Sequence, residues 1–162
     1  MKDTHCNYMP DFENYPLLPL PEHLRPGDIL AIDTDQGCRF VQVTHARSPY
    51  PSVLRALVPS SAYQVTDISK CDTAFVAMVE LTSLQISDSV KVRYVGYGEI
   101  PAHERAFPTF RLPIRNKSGD ILYWWAWDGD GLKISQEAAN AEMPLREVLT
   151  TENLCKRLCN LV

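Results

Sequence analysis

Several things are missing from this chain, and each absence removes a class of chemistry. It has no Gly-x-Ser-x-Gly elbow, no His-Glu-x-x-His, no P-loop and no Gly-x-Gly-x-x-Gly. The common nucleophile, zinc, nucleotide and dinucleotide signatures are therefore absent. Its five cysteines, Cys6, Cys38, Cys71, Cys155 and Cys159, form no Cys-x-x-Cys pair. An odd, scattered set reads as reduced thiols. No run approaches the roughly 18 apolar residues that a membrane span needs. The opening Met1-Lys2-Asp3-Thr4-His5-Cys6 lacks the apolar centre of a signal peptide, so the cytoplasm is the expected compartment. There is no internal repeat, low-complexity tract or domain-dividing linker.

What is present is ordinary in bulk. The 162 residues are 45% hydrophobic and 22% charged, with a net charge of -4. That suits one domain with a real core. The charge is uneven. Residues 1–35 carry 7 acids against 2 bases, residues 36–118 carry 6 against 10, and residues 119–162 carry 7 against 4. Acidic ends around a mildly basic middle argue against a dedicated nucleic-acid binder. They favour a basic partner, or simply solubility.

Residues 1–26 hold Tyr15-Pro16-Leu17-Leu18-Pro19-Leu20-Pro21 and Pro26. Proline at that density forbids regular helix or central strand. The reading is an extended arm laid on the domain, anchored by Leu17, Leu18 and Leu20. A polyproline ligand for a groove is the alternative. Residues 27–162 then form one sheet-rich domain ending in a helix. Gly27-Asp28 leads into Ile29–Ile32, and a polar turn at residues 33–37 joins it to Cys38–His45 as a hairpin. Val53–Val58 is a third strand. This meander suits a small SH3-like barrel, whose closure would remove exposed edges. Ala74–Leu81 is apolar almost throughout and reads as a buried strand rather than a short helix. Val90–Tyr97 alternates as a strand, and Gly96-Tyr97-Gly98 reads as a bulge or turn.

All three tryptophans fall within Ile121–Trp127, a strand placing Tyr123, Trp125 and Trp127 on one side and Trp124 and Ala126 on the other. At least two of the three are expected in the core. Leu132–Ile134 reads as a further short strand. Thr150 or Thr151 caps a helix striped by Leu154, Leu158 and Leu161, and Cys155 and Cys159 share a face of it. The fold class is α+β: a curled antiparallel sheet or partly open barrel with a C-terminal helix.

Asp33-Thr34-Asp35 and Asp128-Gly129-Asp130-Gly131 look like fragments of calcium loops. The twelfth positions are Thr44 and Ala139, which cannot supply the closing carboxylate, so both read as turns. A Cys–His dyad from His45 or His103 with Cys38 or Cys71 has no sequence-level support. No metal or cofactor is expected.

Three tracts resemble a known family. They are Leu18-Pro19-Leu20 with Arg25-Pro26-Gly27-Asp28-Ile29-Leu30, then Val95-Gly96 with Ile100-Pro101 and Phe107-Pro108-Thr109-Phe110, then Tyr123-Trp124 to Gly129 with Leu145-Arg146-Glu147-Val148-Leu149 and Leu154. Together they are similar to immunity protein 26 of bacterial polymorphic toxin systems. The resemblance implies a non-catalytic cytoplasmic protein that binds and neutralises a cognate toxin, as monomer or dimer, with no nucleic acid or membrane partner. A basic nuclease domain would suit the acidic ends. Two acidic surfaces are candidates for the toxin contact: Asp28, Asp33 and Asp35 on the N-terminal side, and Glu99, Trp127, Asp128 and Asp130 on the loop side. A small β-barrel that binds or cleaves RNA is the alternative.

Overall fold

The computed structural model describes residues 18, 20–59, 65–85 and 89–161. Strands β1 (Asp28–Thr34) and β2 (Gly37–His45) form the expected hairpin, with Thr34 opposite Gly37. Strands β3 (Ser52–Leu57) and β4 (Thr73–Val79) extend it on one side, and β5 (Val92–Tyr97) pairs with β1 on the other. The short β9 (Val148–Leu149) adds in parallel to the outer edge of β4. The sheet order is β5-β1-β2-β3-β4-β9. A second sheet holds β6 (Phe110–Arg115), β7 (Ile121–Trp127) and β8 (Leu132–Ile134), in that order and antiparallel.

The α+β class stands, but no barrel closes. Both ends of the large sheet are met by short segments: β9 on β4, and a single bridge from Leu18 to Tyr94 on β5. The edges are thus blunted by added pieces instead of by pairing with each other. The sheet is also mixed, because β9 is parallel.

Residues 74–81 resolve as strand up to Val79, with helix α2 (Leu81–Gln85) following. The reason for their unbroken apolarity is that the large sheet is buried on both faces. On one face Leu30, Ile32, Val41, Leu54, Ala77 and Val79 pack beneath Leu84 of α2 and Leu154 and Leu158 of helix α3 (Thr151–Cys159). The opposite face carries two apolar clusters. One joins Ile29, Ala31, Phe40 and Leu57 to Ile68 of helix α1 (Val65–Ile68). The other joins Val53 and Met78 to Phe110 and Trp127 of the small sheet.

Helix α3 is built as its sequence requires. Thr150 Oγ1 accepts the Asn153 amide at 3.2 Å, and Glu152 pairs with Lys156 one turn on at 2.7 Å. At its far end Arg39 donates to the carbonyls of Leu158 (3.2 Å) and of Leu161 just beyond the helix (3.1 Å), adding a cation at the C-terminus. Cys155 packs at the margin of this core as a small apolar group.

One expectation changes. Trp127 is buried, but Trp124 and Trp125 are only half-buried. The small sheet reaches the large one at one end alone, so a single tryptophan enters the core. Gly96 does mark a bulge: Ile29 pairs with Gly96 and Leu30 with Tyr94, leaving Val95 extra. Of the proposed arm, residues 1–17 and 19 lie outside the described residues, Leu17 among them. Leu18 bridges to β5, Leu20 is half-buried, and Leu24 packs on the core.

Leu154 of α3 is fully buried against the large sheet. Leu154→Ala is expected to lower stability by about 2–5 kcal/mol, read from the urea midpoint at unchanged slope.

Candidate functional site

Tracing the seven acidic and aromatic candidates through the fold separates them. Asp33 and Asp35 sit at the β1–β2 turn, where Asp33 pairs with Arg93 of β5. His45 lies at the other end of β2, eight residues from Gly37 and about 26 Å away at ~3.3 Å per residue. Asp28 is 1% exposed. Its carboxylate accepts the Arg25 amide (2.8 Å) and the Tyr94 hydroxyl (3.0 Å). Burial, then the bond to Asp28, holds that phenol above its usual range. Asp28 thus fastens the start of β1 to β5 and presents no surface. Trp127, 4% exposed, is also interior.

The structure brings the remaining loop-side residues to one edge of the molecule. Arg105 pairs with Glu99 at 2.6 Å and offers its carbonyl to His45 Nε2 at 3.0 Å. His45 meets Phe107 edge-on, with ring centroids 5.2 Å apart. Arg47 lies over Phe107 and pairs with Asp130 at 2.6 Å, which raises the guanidinium above its ordinary value. The β7–β8 turn is itself held by Asp128, whose carboxylate accepts the amides of Asp130 (3.0 Å) and Gly131 (3.1 Å). Those two backbone bonds keep the Asp128 carboxyl below 3.8. Gly129 is required here. Its φ is 92°, and an added Cβ would stand 2.9 Å from both Phe107 and Arg47. The Asp-Gly-Asp-Gly stretch is therefore a turn with its carboxylate already occupied.

Beyond this turn lies an apolar surface that sequence reading did not single out. Ile121, Leu122 and Tyr123 of β7 and Leu132 and Ile134 of β8 are all exposed, with Leu122 at 61% and Ile134 at 68%. Cross-strand pairing of Trp125 with Ile134 and of Trp127 with Leu132 puts Tyr123, Leu132 and Ile134 in one row on the Trp125 face, while Leu122 alternates to the opposite side. Strand β8 is the last of its sheet. The Ser135 amide bonds the Trp124 carbonyl. By alternation, the backbone groups of Leu132 and Ile134 then point to the outer edge. The signal was in the sequence: β8 alternates apolar and basic, Leu-Lys-Ile, with too few residues to bury a face.

A second feature also went unread. Arg55 is fully buried in β3. Its Nε donates to Gln42 Oε1 (2.8 Å), Nη1 to the Cys71 carbonyl (3.0 Å) and Thr73 Oγ1 (3.2 Å), and Nη2 to the Ser69 carbonyl. Gln42 passes the connection to the Gly98 carbonyl (2.8 Å), and Thr73 donates to Glu104. Burial lowers the Arg55 pKa, and Glu104 acts against that shift. The visible clue was one charge inside the apolar run Val53-Leu54-Arg55-Ala56-Leu57. Its donors are spent on structure. Cys38, half of a conceivable Cys–His dyad, has its thiol pushed up to about 12 by burial and by Asp33. A thiol so held is poorly nucleophilic. No cluster of three metal-ligating side chains occurs among the described residues. No helix of the described residues is long and apolar enough to cross a membrane.

Arg55→Ala is expected to cost about 3 kcal/mol or more, because several buried acceptors lose their donor at once. Combined with Gln42→Leu, the loss should be less than the sum of the two in denaturant melts. The Asp128 carboxyl should titrate below 3.8. Its contribution to the turn is complete above that value and is lost as pH falls through the lowered folded value. Carboxyl NMR, with the Gly131 amide shift following the same midpoint, checks this. Compared with known proteins, the chain matches no family model, no curated protein and no solved structure.

Proposed function

We propose that this protein works by binding another protein through the β7–β8 hairpin, and that the partner is a toxin it neutralises. The observation that carries the reading is the apolar row on an open-edged sheet. Among the described residues, five of the eleven exposed large hydrophobic side chains lie on β7 and β8. A contiguous apolar surface beside unpaired strand backbone is the arrangement used in strand-addition recognition. The acidic turn at Asp128–Asp130 flanks it, and Glu99 lies along the same edge through Arg105 and His45. Apolar contact would supply affinity, and the flanking acids would select a basic partner. Lys133, central in β8, disfavours pairing of the edge with a second copy of itself, since two lysines would meet. The resemblance of three tracts to immunity protein 26 gives the partner its identity as a toxin.

The test is genetic and then physical. The gene next to this one is expressed in a host with and without this protein. Growth arrest by the neighbour, relieved by this protein and accompanied by a purified complex, is the expected result. Ile134→Asp, at a position 68% exposed, should abolish relief without changing the melting temperature, whereas Asp35→Asn at the distant turn should not. A harmless neighbour, or relief that survives Ile134→Asp and Leu132→Asp together, removes the proposal.

A further inference from the structure

A second surface feature of the molecule is a cleft between its two sheets. Where β4 of the large sheet faces β6 of the small one, the residues 141–147 close a cleft of about 360 Å³. That volume is within the range of small-molecule sites. Phe75, Val76, Met143, Pro144 and Leu145 give it apolar walls. Two arginines, Arg111 and Arg157, also line it.

These arginines differ from most others in the chain. Arg25, Arg47, Arg93 and Arg105 each have a carboxylate partner. Arg39 and Arg55 spend their donors on carbonyl, amide and hydroxyl oxygens inside the protein. Arg111 and Arg157 form no ion pair among the described residues. Each is instead laid on an aromatic ring. Arg111 stands 4.5 Å from the Trp124 centroid, and Arg157 stands 4.1 Å from that of Phe75. Stacking fixes the plane of a guanidinium and leaves its hydrogen-bonding edges for a ligand. Arg111 is held further by Nη1, which donates to the Ala139 carbonyl at 3.4 Å. Its Nε is buried with no acceptor among the described residues. Nη2 has no hydrogen-bond partner among the described residues and is the nitrogen left for a ligand oxygen.

We propose that this cleft binds a small monocarboxylate with an apolar or aromatic body. The carboxylate meets Nη2 of Arg111, with Arg157 adding a second positive charge. The body lies against Phe75, Met143 and Leu145. Glu142 and Glu147 also line the cleft and are exposed. Their negative charges tolerate a single carboxylate between two arginines but oppose a dianion such as phosphate, or a nucleic acid. This site is separate from the β7–β8 surface and does not depend on the identity of any protein partner.

Calorimetric titration of the purified protein with phenylacetate, phenylacetamide and inorganic phosphate tests it. Phenylacetate should bind with a dissociation constant of about 1 mM or tighter, and quench tryptophan fluorescence through the ring under Arg111. Phenylacetamide should bind at least about tenfold more weakly, since it lacks the charge that strengthens each hydrogen bond. Phosphate should not compete. Arg111→Gln should weaken phenylacetate binding about tenfold or more, and Arg111→Lys should fail to restore it because a lysine offers no planar fork. Arg157 is exposed, so Arg157→Gln keeps the fold and should weaken binding about threefold at ordinary surface-charge strength. The proposal falls if phenylacetate does not saturate, if acid and amide bind alike, if phosphate displaces phenylacetate, or if Arg157→Gln and a folded Arg111→Gln both bind as the parent does. If Arg111→Gln does not fold, Arg157→Gln and the comparison of acid with amide decide.

Discussion

A guanidinium withdrawn from water must be given acceptors in every direction it points, and Arg55 is the place where this chain meets that demand. The residue lies on the face of the large sheet between two apolar clusters, one capped by α1 and the other by the small sheet. Its acceptors come from β2, from the segment after α1 and from the start of β4. Through Thr73 and Gln42 the set extends to Glu104 and to the Gly98 carbonyl. Apolar packing alone would tolerate many placements of those connecting segments. Directed hydrogen bonds in a dry interior tolerate few. The long connection between β5 and β6, which carries Glu99, Arg105 and Phe107, is thereby set against the sheet. The arrangement of His45, Arg47 and the β7–β8 turn follows from it.

Most of the strands could be read from the chain because their pattern is local. The β1–β2 turn, the bulge at Gly96, the tryptophan strand and the Thr150 cap each rest on residues close in sequence. What could not be read depends on distant partners. A two-residue parallel strand at Val148–Leu149 has no pattern of its own and exists only because β4 offers an edge. The burial of a single tryptophan depends on how far the small sheet reaches over the large one. The opening meander suits either a curled sheet or a partly open barrel; which of them forms is decided by the outermost strands, and those are met by other pieces of chain.

The candidate contact residues show the same division. Asp128 and Asp130 were recognisable as turn acids. That Asp28 is interior depends on the Tyr94 hydroxyl reaching it from β5, which no local pattern announces. The exposed row on β7 and β8 was hidden for the opposite reason. Apolar strands ordinarily signal burial, and only the extent of the cover tells which of them stay uncovered. The two ends of the small sheet therefore have different fates. One end supplies Phe110 and Trp127 to the interior, while the far end faces outward with its backbone edge open. The cleft lined by Arg111 and Arg157 arises at the same junction, on the side where β4 and β6 approach.

The parallel pairing of β9 with β4 has a consequence for how the chain is made. Met78 must wait for Val148, and Val79 for Leu149. During synthesis β4 leaves the ribosome with β3 already available on one side and nothing for the other. The whole small sheet is then translated before the missing partner appears. Closing so large a loop is entropically slow. For that interval the nascent protein carries a bare strand edge at Met78 and Val79, open to pairing with a neighbouring chain. A holding chaperone, or slow translation at low crowding, would matter most during that window.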